Sequence, residues 1–159
     1  MKLSIIIPVY NEEKTVGQIL EKVCALKLPW EKEIIVVNDG SKDKSEEKIT
    51  PFKSKIIYLK QDNKGKGSAV MAGIAQSTGD YIVIQDADLE YDPTDFGRMI
   101  EAVGNNNVVY GSRLTKLPVL FGKNRTPLLL HFIGNKFLSL VDSILYGTWL
   151  TDMETCYKM

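Results

Sequence analysis

Five short apolar runs without polar alternation constrain this chain more than any other feature. Leu3–Val9 carries three successive isoleucines and closes on Pro8-Val9. Ile34–Val37, Ile56–Leu59, Tyr81–Ile84 and Val108–Tyr110 repeat the type. A strand with one wet face alternates, whereas a strand buried on both faces does not, so these runs predict a mostly parallel sheet covered on both sides. Helical spacing fills the gaps. Val16, Ile19, Leu20, Val23 and Leu26 recur at three and four residues within Thr15–Leu26. Lys44–Ile49 reads as a short polar helix and Gly67–Ser77 as a small-residue one. Asp92-Pro93 opens another, with aspartate at the N-cap and proline at the first helical position. Strand and helix in alternation give an α/β, Rossmann-like doubly wound fold.

The 159 residues suit one domain, with core enough to need neither disulfides nor a structural metal. Cys24 and Cys156 are far apart and form no CxxC pair, so a reducing compartment is expected. The opening residues lack the apolar core and cleavage site of a signal peptide, which predicts a cytoplasmic chain. No run of eighteen uncharged apolar residues occurs, so no membrane span is expected. With 20 basic and 20 acidic side chains, no nucleic-acid partner is expected. The balance is uneven along the chain, however. Six cations (Arg113, Lys116, Lys123, Arg125, Lys136, Lys158) and three anions (Asp142, Asp152, Glu154) follow residue 110, leaving 14 and 17 before it. Such a split suits either an acidic metal-holding half joined to a basic anion-facing half or scattered surface charge.

After Gly111 the pattern changes. Residues 112–127 read as a loop, and 128–145 as an amphipathic helix. Leu129, Phe132, Ile133, Phe137, Leu140, Val141, Ile144 and Leu145 form its apolar side; His131, Asn135, Lys136 and Ser139 form its polar side. The leading expectation is a helix packing its apolar side on the core, with a lipid-touching interfacial helix as the alternative. The last residues read as the start of another strand, so the chain is expected to be truncated at its C-terminal side.

In open α/β sheets, ligands gather beyond the carboxyl ends of the strands. Those ends here carry Pro8-Val9-Tyr10-Asn11-Glu12-Glu13, Asn38-Asp39-Gly40-Ser41, Gln85-Asp86-Ala87-Asp88-Leu89-Glu90 and Gly111-Ser112-Arg113. Asp86 and Asp88, two apart in an extended segment, can present both carboxylates to one hard divalent cation, and Glu90 continues the period. An acidic turn leading into the next helix is the plainer reading. Asp39 suits either a tight turn or an acceptor for a nucleotide base or ribose. Asn63–Ser68 is glycine-rich but has no phosphate-loop spacing, and no G-x-G-x-x-G follows the first strand. No Ser/His/Asp or Cys/His nucleophile set is evident, and the lone His131 reads as structural.

Taken together, IIIPVYNEE, VVNDGSKD, NKGKGSA, DADLEYDP, GSR and TDMETCYK resemble the family 2 glycosyltransferases of GT-A fold. Among these they resemble most the branch of dolichyl-phosphate mannose synthase and the polyprenyl-phosphate glycosyltransferases. The resemblance implies a single catalytic domain over 1–159, with residues 1–110 binding a nucleotide sugar and residues 111–159 facing the acceptor. It implies that Pro8, Tyr10, Glu12, Asp39, Lys66 and Asp86 bind a GDP- or UDP-linked donor. It further implies that Asp86, Asp88 and Glu90 hold Mg²⁺ or Mn²⁺, and that Arg113 and Arg125 meet an acceptor phosphate. Asp88 and Arg113 are then the catalytic residues, joined by Asp152 where a hydroxyl acceptor needs a base. The expected reaction is inverting transfer of a hexose to a polyprenyl or dolichyl phosphate, at the cytoplasmic face of a membrane through peripheral contact. A polysaccharide acceptor, or nucleotide binding without transfer, are the other readings.

Overall fold

The computed structural model describes residues 1–104, 108–111, 129–147, 155 and 157–159. Four strands, β1 (Lys2–Val9), β2 (Glu31–Asp39), β3 (Ile57–Gln61) and β4 (Tyr81–Ile84), form a sheet in the order β3-β2-β1-β4. Every pairing is parallel: Ile6 lies beside Ile35 on one side and Ile84 on the other, and Val37 beside Leu59. Helices α1 (Val16–Ala25), α2 (Ser45–Ile49) and α3 (Lys66–Gln76) connect the strands, and α4 (Phe96–Val103) follows β4. This parallel α/β arrangement is the expected one.

The chain steps outward from β1 to β2 to β3, then returns across both to place β4 on the far side of β1. Because parallel crossovers are right-handed, opposite directions of travel put α3 on the other face from α1 and α2. The packing agrees: α3 lies against β1 and β2, while α1 packs with α2. On the α3 face, Ile6, Ile35, Val37 and Ala69 form a fully buried cluster. Ile5, Ile7 and Val36, pointing the other way by the two-residue period, are equally buried. Gly73 sets the close approach of α3, since a Cβ there would stand 2.5 Å from Ile6 Cγ2.

Two runs depart from expectation. Edge strand β3 leaves Ile57 exposed, because an edge has only one neighbour to cover it. Residues 108–110 do not join the parallel sheet among the described residues. Val109 instead exchanges both backbone hydrogen bonds with Met159, an antiparallel pairing, and Val108 is 57% exposed.

The chain divides into two compact units, Met1–Val109 with Lys158–Met159, and Tyr110–Tyr157. The second holds α5 (Leu129–Tyr146), close to the expected 128–145. Its polarity is the reverse of the leading expectation. Asn135 and Ser139 are buried, whereas Ile133, Phe137, Leu140, Ile144 and Leu145 are exposed. Ser139 Oγ donates to Asn135 Oδ1 at 3.1 Å, and Ser143 Oγ to the Ser139 carbonyl at 2.6 Å. Among the described residues no helix is long and apolar enough to cross a membrane. The side chain of His131 and residue Cys156 lie outside the described residues.

Candidate functional site

The strand order reverses between β1 and β4, so the loops leaving their carboxyl ends diverge and open a crevice. The loop after β1 is held by the loop after β2. The Asn11 amide donates to Ser41 Oγ at 3.1 Å, and the Lys42 amide returns a bond to Asn11 Oδ1 at 2.8 Å. The Glu12 amide donates to buried Ser45 Oγ at 2.8 Å, and the Glu13 amide to Asp43 Oδ2 at 3.0 Å. Asp43 also accepts from the Ser45 amide and hydroxyl. Burial works to raise its pKa, but these hydrogen bonds outweigh burial and hold it below the usual carboxylate value. Asn11 is left-handed, at φ 56°, which the side-chain bond of an asparagine supports.

Asp39, 2% exposed at the end of β2, organises the next loop. Its Oδ1 accepts from Gln61 Nε2 at 2.6 Å and the Lys64 amide at 3.0 Å, and its Oδ2 from the Gly65 amide at 2.9 Å. Burial opposes ionisation here too, yet the three donors and the Lys64 charge depress the pKa. A carboxylate offers about four acceptor positions, so one is left for a ligand. Gly40, at φ +71°, lets the loops meet: a Cβ there would lie 2.7 Å from the Asn63 nitrogen.

Beyond β4 the chain makes a tight acidic turn. Gln85 is fully buried, and its Nε2 donates to the carbonyls of Asp86 at 2.9 Å and Tyr91 at 3.3 Å. Leu89 adopts φ 65°, uncommon for a bulky side chain, and the Glu90 amide folds back onto Asp88 Oδ1 at 3.0 Å. Asp92 then caps the next segment by accepting from the Thr94 amide. Pro93–Asp95 form a 3-10 turn ahead of α4. The Asp86 carboxylate is buried, and Lys66 Nζ, at the start of α3, stands 2.6 Å from its Oδ1.

These loops enclose an open cleft of about 430 Å³. Of the residues expected in a site, Pro8, Tyr10, Glu12, Asp39, Lys66, Asp86 and Asp88 line it together. Glu90 is exposed and is not among the lining residues. Arg113, Arg125 and Asp152 lie outside the described residues. The sequence reading includes Asn63 and Gly65 only within the glycine-rich 63–68 loop, where the glycines let the backbone pass close to a ligand or neighbouring loop, and Gln85 only as the head of the acidic strand end. It gives no place at the site to Ala69 in the lining, or to Asp43, Ser45 and Gln61 behind it. The one legible signal was Gln85, a polar residue directly after an apolar run.

Among the described residues no three His, Cys, Asp or Glu side chains converge to hold a metal. Asp86 and Asp88 supply two hard carboxylates in one cleft, and Asp86 already holds a cation, the Lys66 ammonium. Two carboxylates, with phosphate oxygens and water completing the shell, form a donor set that suits Mg²⁺ or Mn²⁺. The cleft can therefore take an anionic, polyphosphate-bearing ligand with its cation, Asp39 standing at the β2 end.

Known proteins agree with this architecture. The chain is 38% identical over 131 residues to an undecaprenyl-phosphate 4-deoxy-4-formamido-L-arabinose transferase of Pectobacterium carotovorum, covering 76% of this chain and 39% of that protein. It is 35% identical over 120 residues to a dolichol-phosphate mannosyltransferase of Pyrococcus furiosus, covering 73% and 34%. The chain thus spans about two fifths or less of these relatives' length. A mannosyltransferase from Pyrobaculum calidifontis, solved with GDP-Man and Mn²⁺, superposes with TM-score 0.53 at 20% identity, covering 64% of this chain and 32% of that one. The family model for glycosyl transferase family 2 matches residues 4–150. A parallel β3-β2-β1-β4 sheet with its cleft at the β1/β4 divergence, matched over nearly its whole length by that model, places this chain in glycosyl transferase family 2, with the GT-A fold.

Proposed function

We propose that this chain is the catalytic domain of an inverting, metal-dependent glycosyltransferase that moves a hexose from a GDP- or UDP-linked sugar to a polyprenyl phosphate. The observation that carries the reading is the buried Asp86 carboxylate beside Asp88 at the strand-order reversal, lining one cleft together with Asp39. In this reading residues 1–110 bind the donor and residues 111–159 face the acceptor. The base or ribose lies toward Asp39, whose remaining acceptor position takes a donor group of the nucleoside. The diphosphate lies toward Lys66, Asp86 and Asp88. A bound Mg²⁺ or Mn²⁺ would neutralise charge on the departing nucleoside diphosphate.

A lipid phosphate is already anionic at neutral pH and attacks the anomeric carbon without a strong general base. That fits a cleft lined by no histidine among the described residues. Arg113 and Arg125 are assigned to the acceptor phosphate, through the planar fork that suits such groups. The relatives named for undecaprenyl phosphate and dolichol phosphate support a lipid acceptor over a polysaccharide, for which Asp152 would be needed as base. The exposed apolar side of α5 supports peripheral contact with a membrane surface.

The test is transfer of labelled sugar from GDP-mannose or a UDP-hexose to undecaprenyl phosphate with Mn²⁺, run beside Asp88→Asn. Transfer to the lipid phosphate, lost in the variant, is the expected result. Transfer only to free sugars would replace the acceptor. Mn²⁺-independent binding of GDP and UDP would remove the metal.

A further inference from the structure

We propose that Lys66 is a built-in placeholder for the metal: its ammonium neutralises Asp86 while the cleft is empty, and it moves onto the diphosphate when metal and nucleotide enter. The inference rests on the proposed donor site and extends it from a list of ligands to an order of events.

The Asp86 side chain is only 10% exposed, and a carboxylate so placed needs a counter-charge. Lys66 Nζ provides it at 2.6 Å from Oδ1. A divalent cation bound to the same carboxylate would stand beside that ammonium, and the repulsion between them falls only as the inverse of distance. The two therefore compete for the carboxylate. Asp86 is fixed, because it follows β4 directly and its carbonyl is held by buried Gln85. Lys66 is the first residue of α3, and its ammonium sits on a long four-carbon stem that is 59% exposed and lines the cleft.

Metal alone must evict the ammonium into water. Metal arriving with a diphosphate does not, because the phosphate oxygens take over the ammonium. Lys66 thereby makes the two ligands bind cooperatively and keeps the empty cleft from collecting divalent cations. No bond is made or broken in this exchange; one cation replaces another on Asp86.

The experiment measures Mn²⁺ affinity of the nucleotide-free chain by loss of the free Mn²⁺ electron paramagnetic resonance signal, for wild type, Lys66→Met and Lys66→Arg. Removing the competing charge should tighten Mn²⁺ binding about fivefold in Lys66→Met, the size of a good partly exposed ion pair. Lys66→Arg keeps a cation on Asp86 and should stay near wild type. In the same titrations, GDP or UDP should strengthen Mn²⁺ binding in wild type and do so less in Lys66→Met. Equal or weaker Mn²⁺ affinity in Lys66→Met, with Mn²⁺-dependent GDP or UDP binding intact, would overturn the placeholder and leave the donor site standing. Absence of Mn²⁺-dependent nucleotide binding in all three proteins would overturn the donor site, and the placeholder with it.

Discussion

Gln85 Nε2 donates to the Tyr91 carbonyl at 3.3 Å, closing the whole Asp86–Glu90 turn with one buried amide. The same nitrogen bonds the Asp86 carbonyl at 2.9 Å, so both ends of the acidic turn hang on a side chain that reaches neither ligand nor solvent. Gln85→Leu, close in volume, removes the buried donor shared by these two carbonyls and should cost about 1–3 kcal/mol of stability. Calorimetric affinity for GDP or UDP with Mn²⁺ should fall further than in an equally destabilised core variant such as Ile100→Val. An unchanged affinity would show that the turn holds its shape without Gln85.

Asp39→Asn tests whether charge or shape matters at the β2 end. All three groups facing the carboxylate are N–H donors, two on Oδ1 and one on Oδ2. Whichever way the amide of asparagine is turned, its NH₂ meets another donor. The expected cost is about 2–3 kcal/mol, with weaker nucleotide binding. Urea unfolding and calorimetry measure both, and a stability equal to wild type would mean that the loop over residues 61–65 is held by other contacts.

Glu33 gives the fold an acid limit. Burial would raise its pKa, but bonds from Lys2 Nζ (2.5 Å), Ser4 Oγ (2.5 Å) and the Thr78 amide (2.6 Å) and hydroxyl (2.8 Å) prevail and lower it to about 2. A carboxylate whose folded pKa lies below its ordinary value stabilises the fold above that value. It loses the contribution as pH falls through the folded pKa. The window therefore runs from about 4.5 down to about 2. Melting temperature should fall across it in wild type and fall less steeply in Glu33→Gln. Parallel curves would remove Glu33 from the account.

Lys32 closes the end of α1. Its ammonium donates to the carbonyls of Val23 at 2.6 Å, Cys24 at 3.0 Å and Leu26, a cation set where the helix dipole is negative. Lys32→Met keeps the stem and removes the bonds. It should lower stability by about 1–2 kcal/mol without changing nucleotide affinity, measured by urea unfolding and calorimetry.

The parallel sheet and the neighbourhood of the site were legible in the amino-acid sequence because both depend on short stretches of chain. Ile5, Ile6 and Ile7 lack alternation, so β1 has to be covered on both faces. Asp86 and Asp88 follow an apolar run, so they emerge at a strand's carboxyl end, where this topology places its cleft. Partner choice depends instead on which loops the crossovers bring to one edge. Asp39 is read as a turn or a ligand contact from its neighbours, but the fold gives its oxygens to Gln61, Lys64 and Gly65, at separations of 22, 25 and 26 residues. Lys66 is one of twenty cations in the chain until α3 starts beside Asp86. The helix at 129–146 shows the same limit from the other side. Its period is evident, but not which side it buries: Asn135 and Ser139 are buried, while Phe137 stays 64% exposed. Local pattern sets where a side chain can point; the tertiary fold supplies what it meets there, because hydrogen bonds and ion pairs are made at about 3 Å between segments the chain order keeps apart.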